Sequence, residues 1–355
     1  MEDLFFNGRT EFTKWVVADG LLREPFVVVD VGVQGGVSPR WSVLRDYLLF
    51  HGFDPIAEVI DDLKQRNAGR TNRHFHAMAI GDEDGEREFY VNLADPTSSS
   101  ILHRRGDNRF DDNVAEQARA VPIRRLDSLL AAGIIPTCDF LKVDVEGFEK
   151  PVFAGARKLL EAGVLGVETE TNFGVSSLYP KSHIAAVLEV VTDYHLLLFD
   201  IGFDRRPRAS FRRRLARGNF EIEADDSVWG RPATFNALFC RDLIEEADHA
   251  DHYPTPCRPA GVDQMIKTMI ICELYGLNDV ALDMAERFAA LLGPRFDVDQ
   301  AVSLLADPFC RDATVVLKLR RLTERVRALE GSRSWRMTAP LRAVRRLFGD
   351  SSELD

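Results

Sequence analysis

A short apolar run that ends in a glycine-rich turn constrains the fold of this chain. Residues 26–31, Phe-Val-Val-Val-Asp-Val, are apolar except for Asp30, and Gly-Val-Gln-Gly-Gly follows directly at residues 32–36. A continuous apolar run of this length is typical of a strand buried on both faces of a parallel sheet. The glycines would let a ligand approach the backbone where the strand ends. The segment therefore predicts the first strand of an α/β fold, with a ligand site at its carboxyl end.

Further strands alternate with helical patterns along the first two thirds of the chain. The second strand is predicted to end at Asp54, and later strands to cover residues 74–80, 86–92, 139–144, 164–169, 194–199 and 234–240. Apolar residues recur at helical spacing over residues 41–49, 56–63, 152–160 and 184–191. This alternation predicts a doubly wound α/β sheet with right-handed crossovers.

The pattern changes after residue 245. Residues 246–261 are rich in proline and polar residues and are predicted to form a linker, and short helices are predicted over residues 262–330. From Val315 to Leu329, apolar residues follow a 4-3-4-3 spacing, which is typical of a coiled-coil seam and would pair two chains in a homodimer. We therefore expect a domain at 1–245, a small helical C-terminal appendage at 262–330 and a basic amphipathic tail at 331–355.

Composition excludes several classes of protein. The chain of 355 residues has a formal net charge of −11, and an acidic chain is a poor general binder of nucleic acid, which needs clustered lysines and arginines. The five cysteines are widely spaced without a Cys-x-x-Cys, which argues against a disulfide framework or a cysteine-rich zinc site and favours a cytoplasmic location. The N-terminal segment has acids and no long apolar run, so it is not expected to be a signal peptide.

Two acids at the ends of the first two strands predict a nucleoside site. Asp30 lies two residues before Gly32, where a dinucleotide-binding loop would receive a pyrophosphate that an acid repels. A carboxylate there suits a cationic group, such as the amino group of S-adenosylmethionine. Asp54 follows 24 residues later and can accept hydrogen bonds from both ribose hydroxyls. Either acid alone could be structural, Asp30 in a turn and Asp54 as a helix cap before Pro55, but the pair favours nucleoside binding.

The order of several motifs resembles that of a known family. VVVDVGVQGG, GFDP, AIGDEDGEREFYV, SSSIL, IRRLDSLL and DFLKVDVEGFEKPVFAGARKLL occur in this order within residues 25–245. They are similar to the motifs of FkbM-type S-adenosylmethionine-dependent methyltransferases, although Val33-Gln34 and Asp54 stand where Ala-Asn and Glu are more common. The resemblance implies a class I methyltransferase fold, which is a Rossmann-like sheet of seven strands, and O-methylation of a sugar or polyketide hydroxyl.

The cofactor that this resemblance implies is S-adenosylmethionine. The resemblance also implies backbone contacts to adenine just after the third strand. The predicted cofactor-binding residues are Asp30, Gly32, Gly36, Asp54, Ala79 and Ile80.

The candidate catalytic groups are acids at and after the end of the strand predicted over residues 139–144. Methyl transfer from a sulfonium needs mainly alignment, and a weakly nucleophilic hydroxyl benefits from a base. Asp144 is the first candidate for that base or for an anchor of the substrate hydroxyl, and Glu146 is the second. Both can face the crevice only if the backbone turns at Glu146 and Gly147. Together with Glu149 they could instead hold Mg²⁺, which is the less favoured interpretation, and Glu149 alone is typical of the first turn of a helix.

Four further residues are candidate contacts to the acceptor. Ser99 lies in a polar loop, and Glu168 lies near the end of the fifth strand. Arg212 and Arg213 belong to residues 205–217, a segment with seven arginines and no acid. Such a segment could grip an anionic acceptor or form a solvated loop. Lys142, within a predicted buried strand, is expected to pair with a carboxylate.

The C-terminal tail combines charge with an apolar face. Five arginines and no acid occur over residues 331–349, and residues 332–342 are similar to the tails of bacterial glycosyltransferases that assemble surface polysaccharides. The tail could contact an anionic membrane surface or such a glycosyltransferase, or it could dock on the protein itself.

These features predict a cytoplasmic O-methyltransferase that acts on a hydroxyl of a glycan or glycolipid near the inner face of the cell membrane. One alternative is a non-catalytic S-adenosylmethionine-binding subunit of a polysaccharide assembly complex. A weaker alternative is a nicotinamide-dependent oxidoreductase, against which the missing Gly-x-Gly-x-x-Gly argues.

Overall fold

A computed structural model describes residues 10–93, 95–103, 115–173, 183–206, 231–249 and 260–306. Within these ranges the strands form a seven-stranded sheet and a three-stranded sheet. The large sheet comprises β1 (Phe26–Val31), β2 (Leu48–Asp54), β3 (Arg73–Ala77), β7 (Phe140–Val143), β8 (Gly166–Thr171), β9 (Leu196–Arg206) and β10 (Arg231–Arg241). The small sheet comprises β4 (Ala79–Ile80), β5 (Gly85–Asn92) and β6 (Glu116–Arg124).

The strand order of the large sheet is β3-β2-β1-β7-β8-β10-β9. The first five of these strands are mutually parallel, whereas β10 runs antiparallel to both β8 and β9. The chain moves outward from β1 to β3 and then returns to place β7 on the other side of β1. Ligands of doubly wound sheets bind at such a switch point, beyond the carboxyl ends of the strands. The predicted α/β fold with seven strands is confirmed.

Helices cover both faces of the large sheet. They are α1 (Glu11–Ala18), α2 (Ala57–Arg66), α3 (Leu126–Ala131), α4 (Glu149–Ala154), α5 (Arg157–Glu161), α6 (Ile184–Val191), α7 (Leu243–Asp248), α8 (Val262–Leu274), α9 (Asn278–Arg287), α10 (Ala289–Leu292) and a helix over 298–306. One face packs against α1, α2 and the helices after residue 261. The other face packs against α3 to α6 and the small sheet.

Three segments differ from the sequence prediction. Residues 41–49 do not form one helix, because a 3₁₀ segment covers Pro39–Tyr47, Arg45 within it has a positive φ of 49°, and Leu48 begins β2. Residues 74–80 form β3 and β4 rather than one strand. The polar stretch between residues 92 and 139 contains β6 and α3. Strand β6 shows little alternation of apolar and polar residues in its sequence, because only Val121 and Ile123 in it are buried.

Helix α8 is buried almost entirely against one face of the sheet. Its Lys267 ammonium donates to both oxygens of Asp139, at 3.0 and 2.9 Å, and to the Pro25 carbonyl at 2.7 Å. Its Glu273 accepts hydrogen bonds from the backbone N–H groups of Phe12 and Thr13, each at 2.8 Å. The helix thereby joins the starts of β1 and β7 to α1, and it shares one hydrophobic core with the sheet.

The proposed domain boundaries stay a prediction. Most of the predicted linker, all of the heptad seam and the basic tail lie outside the described residues. In the part of the chain that is described, no helix is both long and apolar enough to cross a membrane.

Candidate functional site

Polar side chains form a row across the large sheet near its carboxyl edge. Asp30 of β1 is in register with Lys142 of β7, which is in register with Glu168 of β8. Side chains two residues apart share a face of a strand, so Asp144 and Glu170 continue this row toward the edge. The row lies on the sheet face that α8 covers, next to the hydrophobic core between the sheet and α8.

Lys142 joins two of the candidate acids. Its Nζ lies 3.0 Å from Asp144 Oδ2 and 3.8 Å from Asp30 Oδ1. Burial alone lowers the pKa of Lys142, but the negative charges of Asp144, Asp30 and Glu168 outweigh burial and raise this pKa above its ordinary value. Lys142 therefore stays a cation and does not act as a base. The prediction that it pairs with a carboxylate is confirmed.

Asp30 has the chemistry of a site for a cationic ligand. It is 4% exposed, and its Oδ1 has no hydrogen-bond donor among the described residues. Its pKa is raised to about 6, chiefly by burial; Lys142 opposes this increase, and Asp144 and Glu168 add to it. A buried carboxylate oxygen without a donor is costly, and a ligand ammonium would supply the missing hydrogen bond.

The glycine turn after β1 closes against the loop that carries Asp144. Gly32 has a φ of 94°, and a Cβ added there would lie 1.8 Å from the Asp144 carbonyl oxygen. The N–H groups of Gly32 and Val33 both donate to the Phe53 carbonyl, at 2.9 and 3.1 Å. Gly36 donates to the Val33 carbonyl at 2.8 Å and completes the turn. The glycine turn after β1 and the loop that carries Asp144 are therefore in direct backbone contact.

Asp54 ends β2 beside this turn. One of its oxygens, Oδ1, accepts a hydrogen bond from Ile56 N–H at 2.8 Å, so the carboxylate does cap the chain before α2. Its pKa is raised to about 6, chiefly by burial; the Ile56 bond opposes this increase and the charge of Asp30 adds to it. Asp54 is in register with Ala77, which places Ala79 and Ile80 shortly beyond it, where β4 pairs with β6.

The backbone turns sharply after Asp144, as two acids facing one crevice require. Glu146 and Gly147 have φ values of 53° and 99°. Ser100 Oγ donates to the Glu146 carbonyl at 2.8 Å, and Gly147 N–H donates to Glu149 Oε1 at 2.9 Å. Glu149 therefore helps to close this turn, which supports its structural interpretation.

Two of the predicted acceptor contacts are engaged by protein groups. Ser99 Oγ donates to the Pro96 carbonyl at 2.7 Å and accepts from Asn92 N–H at 3.1 Å, both within its own loop. Glu168 accepts hydrogen bonds from groups on the α8 side of the sheet. Roles for Ser99 and Glu168 in acceptor binding stay predictions. The other two, Arg212 and Arg213, lie outside the described residues.

Three further residues lie at this site. Glu170 is the next-to-last residue of β8, and burial, followed by the charges of Asp144 and Glu146, raises its pKa well above the ordinary value. Its alternation with Glu168 was the available signal. Arg40 and Tyr275 contact Glu168 from distant parts of the chain, and no local pattern marks either of them.

Histidines beside the site are neutral near physiological pH. His51 Nδ1 lies 3.3 Å from His76 Nε2 on the neighbouring strand. Burial, with smaller effects of nearby charged groups, lowers the pKa of both to about 4. Within the described ranges, no group of three or more His, Cys, Asp or Glu is arranged to hold a metal ion.

Comparison with known families finds one match within the sheet. Residues 43–179, less than half of the chain, match the family model of the methyltransferase FkbM domain. This segment is similar to an FkbM methyltransferase domain. This family is one of S-adenosylmethionine-dependent methyltransferases, and the matched region includes Asp54, Lys142, Asp144 and Glu168.

Solved methyltransferase structures show distant similarity. An FkbM methyltransferase from Methylobacillus flagellatus KT aligns over 62% of this chain and 45% of its own, with 14% identity and a TM-score of 0.34. A TehB-like SAM-dependent methyltransferase from Corynebacterium glutamicum ATCC 13032 Kitasato aligns over 66% and 89%, with 14% identity and a TM-score of 0.29. The N-methyltransferase NodS from Bradyrhizobium japonicum WM9 aligns over 65% and 93%, with 10% identity and a TM-score of 0.29. Matches this distant say nothing about what this chain methylates. No curated protein matched the sequence.

Proposed function

We propose that this methyltransferase transfers a methyl group from S-adenosylmethionine to a hydroxyl of a glycan or glycolipid in surface polysaccharide biosynthesis. One observation carries the proposal. In a chain with a segment similar to the FkbM domain, the buried Asp30 oxygen without a donor lies one side chain away from Asp144, and Lys142 joins the two carboxylates. A binding group for a cationic cofactor therefore lies beside a group that can accept a proton.

The residues of the β1 and β2 ends fit the cofactor. When bound, S-adenosylmethionine supplies a methyl group on a sulfonium that is already activated for displacement. Asp30 Oδ1 would accept from its ammonium, and Asp54, whose Oδ1 is bonded to Ile56, would accept from the ribose hydroxyls through Oδ2. Gly32 and Gly36 keep side chains out of the loop, and the remaining contacts, to adenine, are assigned to Ala79 and Ile80.

The acids after β7 would act on the acceptor. Asp144 accepts the proton of the hydroxyl as it becomes a nucleophile, and Lys142 fixes its carboxylate at 3.0 Å. Glu146 is the second candidate for this role. Phe173, two residues after the end of β8, is 53% exposed and its ring lies 4.3 Å from that of Phe235. An exposed aromatic ring near the carboxyl edge of the sheet suits the apolar C–H groups of a sugar ring.

A transfer assay tests the substrate class. Purified protein with methyl-labelled S-adenosylmethionine is offered neutral oligosaccharides, glycolipids, protein and RNA in separate reactions. We expect label in the carbohydrates, in a form that survives mild base, because a methyl ether resists the hydrolysis that removes a methyl ester. Label confined to protein or RNA, or label released by base, would contradict the proposal. Cofactor binding without transfer to any acceptor would favour the non-catalytic subunit.

Cofactor affinity should fall as the pH drops through about 6. Asp30 and Asp54 both have a pKa raised to about 6, and each binds the cofactor's donors much more strongly when ionised, through charge-assisted hydrogen bonds. The affinity is therefore present above pH 6 and is lost below it, by about tenfold at pH 5 for one carboxylate and about a hundredfold for both. Calorimetric titration between pH 7 and pH 5 measures this.

A variant of Asp54 distinguishes the contributions of Asp30 and Asp54 to this pH dependence. Asp54→Asn should bind more weakly at pH 7 but lose less affinity on acidification, because one titrating group is gone. His51 and His76, with pKa values of about 4, contribute little in this range. An affinity that does not change between pH 7 and pH 5 would show that these carboxylates do not bind the cofactor.

A further inference from the structure

We propose that Tyr275, at the end of α8, is a positioning residue of the cofactor site and acts through Glu168 and Lys142 on Asp30 and Asp144. The Tyr275 hydroxyl donates to Glu168 Oε2 at 2.6 Å. This bond connects a helix outside the matched FkbM region to the row of charges on which cofactor binding depends. The inference rests on the assignment of Asp30 to the cofactor and not on the identity of the acceptor.

Two donors fix the same oxygen of Glu168. Arg40 Nη1 donates to Glu168 Oε2 at 3.2 Å, and its guanidinium carbon lies 3.7 Å from the centroid of the Tyr275 ring. Arg40 is 1% exposed and Tyr275 is 3% exposed, so the arrangement is shielded from water and its hydrogen bonds are strong. Burial and the charge of Glu168 raise the pKa of Tyr275 well above its ordinary value, so its hydroxyl remains a donor at every pH of interest.

The charges on this face of the sheet explain why the position of Glu168 matters. Two cations, Lys142 and Arg40, stand among three carboxylates, Asp30, Asp144 and Glu168, which leaves one net negative charge. Because Arg40 and Tyr275 hold Glu168 on the α8 side, Lys142 is left to bridge Asp144 and Asp30. A cationic cofactor beside Asp30 would neutralise the remaining charge.

Groups on the strands near β1 act on Asp30. They are Asp54 at the end of β2, Lys142 of β7, Asp144 after β7 and Glu168 of β8, one strand further away. Arg40 and Tyr275 act on Asp30 through Glu168. Without the Tyr275 hydroxyl, Glu168 would compete for Lys142, and Asp30 would lose part of the positive charge that keeps it ionised.

The variant Tyr275→Phe tests this in the full-length protein. Phenylalanine keeps the ring beneath Arg40 and removes only the hydroxyl. We expect S-adenosylmethionine to bind about five- to tenfold more weakly at pH 7. We also expect the pH midpoint of binding to move upward, because Asp30 would be protonated more readily. Calorimetric titrations from pH 5 to pH 8 give both values, and the melting temperature is measured in parallel.

A second variant should move the midpoint in the opposite direction. Glu168→Gln removes a charge that raises the pKa of Asp30, so binding should persist to lower pH. Two single substitutions with shifts of opposite sign are not expected from a loss of packing.

The control variant is Glu273→Gln on the same helix. Glu273 is fully buried and bonds to Phe12 and Thr13 of α1, away from Glu168. Its replacement should lower the melting temperature and leave the affinity and the midpoint at their wild-type values. An unchanged midpoint in Tyr275→Phe would overturn the proposal, with or without a fall in melting temperature. An equal shift in Glu273→Gln would overturn it as well, because general loosening of α8 would then be the cause.

Discussion

Replacing Asp144 by asparagine should lower turnover by about 10²–10⁴-fold and leave the affinity for S-adenosylmethionine within a few-fold of wild type. Asparagine keeps the shape of the side chain and an oxygen for the Lys142 ammonium, which lies 3.0 Å from Asp144 Oδ2. The Asp144 backbone stays bonded to the Val31 carbonyl at 2.9 Å, so the loop should keep its place. What asparagine loses is the ability to accept a proton from a hydroxyl. Single-turnover kinetics with a carbohydrate acceptor and calorimetric titration measure the two quantities.

Neighbouring acids provide the controls for this assignment. Glu146→Gln should lower turnover less than Asp144→Asn, because Glu146 is the second candidate. Glu170→Gln tests the carboxyl whose pKa burial and the charges of Asp144 and Glu146 raise well above its usual range. If Asp144→Asn turns over normally while one of these glutamine variants is inactive, the base has been assigned to the wrong acid.

The central strands and the glycine turn after β1 were predictable from sequence because their signals are local. Residues 26–31 and 140–143 are buried on both sides of a parallel sheet, so they are almost continuously apolar and stand out from their surroundings. Asp30 and Asp144 follow at the carboxyl ends of these strands, and the topology of parallel strands brings such ends together. The turn at Glu146 and Gly147 was likewise expected, because only a turn lets alternating acids face one crevice.

The contacts that complete the site were not predictable in this way. Tyr275 and Glu168 are 107 residues apart in sequence, and Lys267 and Asp139 are 128 apart. The apolar pattern of α8 indicates a buried helix but does not encode which sheet face it covers. Glu168 was predicted, from its place near a strand end, to contact the acceptor, and that role stays a prediction. What the sequence did not indicate is that Tyr275 and Arg40 are bonded to it.

Replacing Gly32 by alanine should abolish cofactor binding and destabilise the fold by about 3 kcal/mol or more, the combined cost of a strained φ and of overpacking. Gly32 has a φ of 94°, and a Cβ there would lie 1.8 Å from the Asp144 carbonyl oxygen and 2.9 Å from its carbonyl carbon. Neither the backbone at Gly32 nor the backbone at Asp144 can shift without breaking a hydrogen bond. Gly32 N–H is bonded to the Phe53 carbonyl and Asp144 N–H to the Val31 carbonyl, each at 2.9 Å.

Gly35→Ala is the matched control, because it adds the same methyl group three residues further along the same loop. A Cβ at Gly35 has no neighbour within 4 Å, and its φ lies outside the positive region. Its stability in urea should therefore stay within about 0.5 kcal/mol of wild type, and it should still bind the cofactor. If both variants behave alike, the contact between Gly32 and Asp144 does not decide the loop's conformation. If only Gly32→Ala fails, the glycine turn after β1 and the loop that carries Asp144 form one structural unit, since moving either backbone displaces Asp30 and Asp144 together.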